Sequence, residues 1–177
     1  GLLAFTLFNS SDVFLLLKAK QAGLNDTQVI GVYIFYNLIY ALSAFPAGII
    51  ADKIGLKKMF IIGLSLFSIV YLGMGLTTNL YVIIGMFFIY GMYASATEGI
   101  SKAWISNIIL KKDTATAIGT YSGFQSILTM LASSIAGFIW YKFGANTTFF
   151  VTSIGTSIVI VYFIFLGSKY DKIINDN

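Results

Sequence analysis

Gly48-Ile-Ile-Ala-Asp52-Lys53-Ile-Gly55-Leu-Lys57-Lys58 is a short, lysine-bearing turn set between two uncharged apolar runs, residues 31–50 and 59–76. At about 1.5 Å per residue each run is long enough to cross the ~30 Å hydrocarbon core of a bilayer. The turn is too short to be a domain, so the pattern predicts a tight hairpin of two spanning helices. Gly48 and Gly55 let backbones approach closely, and Asp52 falls where the first helix ends. Lys53, Lys57 and Lys58 mark the face that keeps positive charge, which is the cytoplasmic one.

Composition supports the same reading. The chain of 177 residues is 58% hydrophobic and 10% charged, against roughly 25% charged residues in a soluble domain. It is therefore expected to be an integral membrane protein, with lipid as its surroundings. The net charge of +4 resides in lysines of short turns and the C-terminal end, not on the basic face of a soluble module, so nucleic acid is not an expected partner. The absence of cysteine and histidine removes disulfides, thiol chemistry, Cys/His metal sites and histidine proton relays. No metal or cofactor is expected. Gly1 stands in place of an initiator methionine and leads directly into apolar sequence without a basic n-region, which reads as a fragment or excised domain.

Six apolar segments can be counted, at about 1–17, 31–50, 59–76, 80–101, 115–140 and 147–167, followed by a polar tail, 168–177. An even number places both ends on one side. With the 53–58 turn cytoplasmic, Lys111, Lys112, Lys169 and Lys172 fall inside and Lys18, Lys20 and Lys142 outside. That bias predicts a multi-pass cell-membrane protein with cytoplasmic N- and C-termini. Asn25 with Gln28 has the form of a capping box opening the second span, Asp113-Thr114 a cap opening the fifth, and Pro46 predicts a bend. Trp104 and Trp140 sit where interfacial anchors belong.

The polar positions inside the spans carry the chemistry. The first span is interrupted by Asn9-Ser10-Ser11-Asp12, and an ionised carboxylate there costs on the order of 2.5–3.5 kcal/mol. In a continuous helix Asp12 lies roughly 9 Å inward of Lys18. It reads either as a proton- or substrate-coupling group, with Asn9, or as a carboxyl kept neutral or hydrogen-bonded by Asn9 and Ser11. The fourth span aligns Tyr90, Tyr93, Thr97, Glu98 and Lys102. Counted from Leu80, Glu98 lies about 27 Å down, far from the depth of Asp12, and its spacing to Lys102 suggests a charge pair at the inner mouth, either a gate or substrate vestibule, with Tyr90 on the same face, or an interfacial salt bridge. Tyr33, Tyr36 and Tyr40 form a stripe on the second span that either lines a cavity or packs. Asn37, Ala41, Ala44, Gly48 and Asp52 form a second, small-residue stripe there. Gly119, Gly123, Ser126, Ser133 and Gly137 form another on the fifth span, and such stripes want a partner helix. The third span, nearly devoid of polar side chains, is expected to face lipid. Asp12 and Glu98 are the only acids within spans, with no histidine, metal cluster or activated serine beside them, so no catalytic residue and no enzyme is expected.

Spans 1 and 4 are interrupted by charge, 2 and 5 carry small-residue stripes, and 3 and 6 are plain. This three-plus-three pattern, with triplets entering from opposite sides, is an inverted repeat. The 48–58 turn resembles the signature loop of the major facilitator superfamily, Gly-x-Leu-Ala-Asp-Arg-x-Gly-Arg-Lys. Gly48, Ala51, Asp52, Gly55 and Lys57 match it in place, while Lys53 and Leu56 stand where arginine is usual. The resemblance implies an all-α membrane fold of six transmembrane helices as a 3+3 inverted repeat, one half of a facilitator-type transporter. The Asn-Ser-Ser-Asp and Thr-Glu-Gly-x-x-Lys-Ala-Trp segments look more like the second half. It further implies secondary transport of a small solute by alternating access, driven by a proton or by the solute gradient. Spans 1 and 4 would line the cavity, Ala41, Ala44, Gly119, Gly123 and Ser126 would pack on the other six-helix half, and Asp52 would brace the gate. The substrate stays open, with a mildly acidic, tyrosine-rich lining tilting toward cationic or amphipathic compounds. A six-span scaffold or assembly protein without transport is the alternative.

Overall fold

The computed structural model describes residues 1–175, with side chains described through Phe165. The side chains of Lys169 and Lys172, and residues 176–177, lie outside the described residues. Every regular element among them is a helix: α1 (Leu2–Thr6), α2 (Val13–Gln21), α3 (Asp26–Ile54), α4 (Leu56–Leu76), α5 (Leu80–Ile108), α6 (Thr114–Phe143) and α7 (Ala145–Asn175). Five of them, α3 to α7, are long and apolar enough to cross a membrane. The first apolar segment is not one continuous helix: the chain leaves helical geometry between α1 and α2, where the Asn-Ser-Ser-Asp group lies. These four side chains compete for local hydrogen bonds and favour helix ends over interiors. The depth expected for Asp12 from an unbroken rise therefore does not apply. At the other end, α7 continues to Asn175, into the stretch read as a polar tail.

Helix boundaries follow local chemistry. Asn25 caps α3 as expected: its side chain accepts from the Gln28 N–H at 2.9 Å, and Gln28 Oε1 accepts from the Asn25 N–H at 3.0 Å. Asp113 does precede α6, yet its side chain makes no capping bond. Pro46 lies inside α3, which runs on to Ile54. Gly55, at φ 93°, turns α3 into α4 in a single residue, a conformation glycine adopts without steric cost.

Helix α4 packs along both α5 and α7, and α3 along α5; α1 reaches α6 and α7, and α2 reaches α3 and α5. The expectation that the third span faces lipid is thus corrected. One face of α4, bearing Phe60, Leu64, Phe67, Val70, Tyr71 and Met74, forms the centre of the core, each at most 2% exposed. Absence of polar groups suits a helix buried against other helices as well as one against lipid. Phe5 of α1 plugs into this core, its ring 5.2 Å from Phe67 and 6.1 Å from Phe60. By contrast α3 and α6 bury little: 17% and 11% of their most apolar stretches, against 44–50% for α4, α5 and α7.

Candidate functional site

The break between α1 and α2 brings Asp12 to the start of α2, where it is the N-terminal flanking residue. Its neighbour Ser11 is anchored by an N–H bond to Ser133 Oγ of α6 at 3.0 Å. The Tyr36 hydroxyl of α3 donates to Asp12 Oδ2. Asp12 therefore finds its partner on another helix rather than in Asn9 or Ser11. A phenol donating to a carboxylate is a charge-assisted hydrogen bond, about twice as strong as a neutral one. It offsets part of the cost of the carboxylate.

Tyr36 is held by packing. Its ring stacks on Phe87 at 6.1 Å and meets Tyr90 edge-on at 5.2 Å. The crossing of α3 over α5 is close because residue 91 is glycine: a Cβ there would stand 2.6 Å from the Tyr36 carbonyl oxygen. The tyrosine stripe thus both packs and lines a cavity, and the two readings of it are not exclusive.

That cavity, about 270 Å³, is walled by Asn9, Asp12, Tyr36, Tyr40, Tyr90 and Glu98, among others including Ser10, Tyr33, Tyr93 and Thr129. Glu98 belongs to the same cavity as Asp12, which corrects the sequence-based depth. The fourth span was expected to end near 101, but α5 runs to Ile108. Its midpoint is Ala94, and Glu98 lies about 6 Å from that level at 1.5 Å per residue. Glu98 and Lys102 form no ion pair; instead the Tyr40 hydroxyl lies beside the Glu98 carboxylate. Lys102 is exposed and lines none of the cavities described here.

Two further cavities follow in line. One of about 260 Å³ between α3 and α5 shares Tyr40 with the first and is walled by Ala44, Gly48, Asp52, Ser95 and Gly99. It shares Ala51, Asp52 and Leu56 with a third, of about 670 Å³, which opens at the 53–58 turn and includes Gly55, Lys57, Lys58 and Trp104. Asp52 is exposed and makes no hydrogen bond or ion pair with the described residues, and Lys53 is exposed beside it. Trp104 packs between Phe60 and Phe163. Ala41, Ala44, Gly119, Gly123 and Ser126 are all exposed.

Sequence reasoning missed Thr129 of the cavity wall and Asn146, whose Oδ1 accepts from Lys18 Nζ at 2.9 Å and ties α2 to the start of α7. Thr129 could have been found three residues beyond Ser126 on α6. Lys18, expected in the outer group of lysines, is 5% exposed. Among the described residues no group of acids could hold a metal ion.

Two proteins are similar to this chain. An uncharacterized MFS-type transporter of Methanocaldococcus jannaschii is 33% identical over 156 residues, covering 85% of this chain and 39% of that protein. An uncharacterized MFS-type transporter of Mycobacterium tuberculosis is 26% identical over 131 residues, covering 74% and 23%. The chain thus corresponds to less than half the length of either relative. The family model of the Major Facilitator Superfamily matches residues 1–175, nearly the full chain and including both the signature turn and the cavity. This multi-pass membrane chain belongs to the major facilitator superfamily.

Proposed function

We propose that the chain is one six-helix half of a secondary transporter that moves a small solute by alternating access, coupled to a proton through Asp12. The observation that carries this reading is the line of three cavities along α3 and α5, which share walls at Tyr40 and then Asp52. From Tyr33 to Asp52 this line follows 19 residues of α3, about 28 Å at 1.5 Å per residue, which is nearly the thickness of a hydrocarbon core. An acid inside a span lines its upper end, as expected of an intramembrane carboxylate on a solute or proton path. The exposed signature turn is its lower end.

Taken together, α1 and α2 count as the first span, giving six. A recurring hinge supports the inverted 3+3 repeat: Gly55 (φ 93°) joins the second span to the third, and Gly144 (φ 87°) joins the fifth to the sixth, each two residues after a lysine. The exposed small-residue faces of α3 and α6 suit the second half of the transporter. Asp52, unpartnered within the described residues, is suited to bracing the gate against that half. By the positive-inside bias, the 53–58 turn and both termini are cytoplasmic in the cell membrane.

The test is solute movement in vesicles by the full-length transporter under an imposed pH gradient, native against Asp12→Asn. Gradient-driven movement that collapses in the variant is the expected result. Retained movement against the gradient would remove Asp12 from coupling. If no solute of a panel of cations, anions and neutral compounds moves, the scaffold reading gains instead.

A further inference from the structure

We infer that the Asp12–Glu98 cavity recognises an organic cation with an apolar body, and that Glu98 is the group that meets its charge. This rests on the transport reading and names the substrate class for that site. Three observations carry it. First, the cavity holds two carboxylates and no lysine or arginine: its charged lining consists of Asp12 and Glu98 alone. Second, neither acid is paired with a cation, and Glu98 is the more accessible of the two. Asp12 is half-buried and accepts from the Tyr36 hydroxyl; Glu98 is exposed, has the Tyr40 hydroxyl beside it and forms no ion pair with Lys102 one turn along. A carboxylate near the middle of a spanning helix is costly without a compensating charge. A proton or a bound cation supplies that compensation, and each excludes the other.

Third, the remaining wall is aromatic. Tyr33, Tyr36, Tyr40, Tyr90 and Tyr93 line the same space, with Tyr36 and Tyr90 edge to face at 5.2 Å and Tyr90 and Tyr93 centred 5.2 Å apart. Ring faces attract cations, the more so where water is displaced, and they supply apolar area for the body of the ligand. The Ser10 hydroxyl, 4% exposed and without a hydrogen-bond partner, is on this wall too. An anion would meet two like charges, and a neutral solute would leave Glu98 uncompensated unless protonated.

The other titratable groups facing the acids carry no positive charge. Tyr36 of α3, Tyr71 of α4, and Tyr90 and Tyr93 of α5 surround Asp12. Tyr40 of α3 and Tyr93 of its own helix face Glu98. All are phenols, which are neutral near pH 7, so none of them supplies a countercharge to the two acids.

The experiment is calorimetric binding to the purified full-length transporter, using two closely shape-matched pairs: choline against 3,3-dimethylbutanol, and methyltriphenylphosphonium against triphenylphosphine oxide. At least one cation is expected to bind tenfold or more tightly than its neutral counterpart. Glu98→Gln should remove that preference, and Glu98→Asp, which keeps the charge, should restore part of it and report correct folding. Equal binding within both pairs, binding by none of the four, or a cation preference that survives Glu98→Gln would overturn the inference. Gradient-driven movement of neutral or anionic solutes, lost in Asp12→Asn, would overturn it too while leaving the transport reading intact.

Discussion

Two of the glycines of helix α5, Gly91 and Gly85, stand in opposite surroundings. At Gly91 an added Cβ would lie 2.6 Å from the Tyr36 carbonyl oxygen and 2.8 Å from Ile39 Cβ, whereas at Gly85 it would meet nothing within 4 Å. Non-bonded carbons prefer separations of about 3.5–4.0 Å, so Gly91→Ala must push α3 and α5 apart by roughly 1 Å. Overpacking of this kind costs about 1–3 kcal/mol. Gly85→Ala brings only the better helix propensity of alanine, worth up to about 1 kcal/mol. For a chain of 150–250 residues 1 kcal/mol moves the thermal midpoint by roughly 2–4 °C, and by less in a longer one. Gly91→Ala should therefore lower the midpoint by several degrees, and Gly85→Ala should leave it unchanged or raise it slightly. The assay is thermal loss of the monodisperse size-exclusion peak of the full-length protein in detergent, followed by transport in vesicles. Transport should fall in Gly91→Ala even below the midpoint, because moving α3 withdraws Tyr36 from Asp12. Equal tolerance of alanine at both positions would refute the close crossing, and with it the account of how Tyr36 is positioned.

Tyr36→Phe keeps the ring stack on Phe87 and deletes only the hydroxyl on Asp12; hydrogen bonds to charged groups contribute about 1.5–3 kcal/mol, so coupled transport should drop tenfold or more at normal expression. Asp52→Asn should slow the transport cycle without lowering the thermal midpoint, and an unchanged turnover rate would remove Asp52 from the gate. Lys18→Met removes the bond to Asn146 Oδ1, and because Asn146 is exposed the loss is the net value of a hydrogen bond, about 0.5–1.5 kcal/mol, which should appear as a lower midpoint; no change would mean that the α2–α7 tie contributes nothing. Gly123→Leu has free space within this chain, so a lower midpoint in the full-length protein would locate the partner half against α6, and an unchanged one would assign that face to lipid.

The fold was legible where a single local pattern controls it. The signature turn, the capping box at Asn25 and the five long spans follow from charge, cap chemistry and uninterrupted apolar length. Where two patterns compete, the sequence alone misleads. The apolar run of residues 1–17 argues for one helix, while Asn9-Ser10-Ser11-Asp12 argues for a break, and the local hydrogen bonding of those four residues prevails. Burial of α4 was illegible for a different reason: lipid and protein interior are equally apolar, so a plain helix carries no label for which of them it meets. The cavity residues Asp12, Tyr36, Tyr40, Tyr90 and Glu98 could each be singled out as polar or aromatic groups within spans. Their convergence could not, because it depends on the length of α5 beyond its apolar stretch and on a glycine at position 91 whose role appears only once α3 lies against it.

That convergence changes what the acids mean. Separated in depth, Glu98 with Lys102 would be a neutral pair and Asp12 a lone buried group, and neither would demand a ligand. In one cavity without a cation, they present a net negative charge that the chain itself leaves uncompensated, apart from phenol hydroxyls. The same cavity touches α6 only through Thr129, while α3 and α6 bury little of their apolar length. Walls of this kind suit a site shared with a second body seated on the small-residue faces of those two helices. Under the proposed function, a cation bound there and a second half seated over it would both act on the hydrogen-bonded pair of Tyr36 and Asp12, which joins the broken first apolar segment to the helix that carries Asp52.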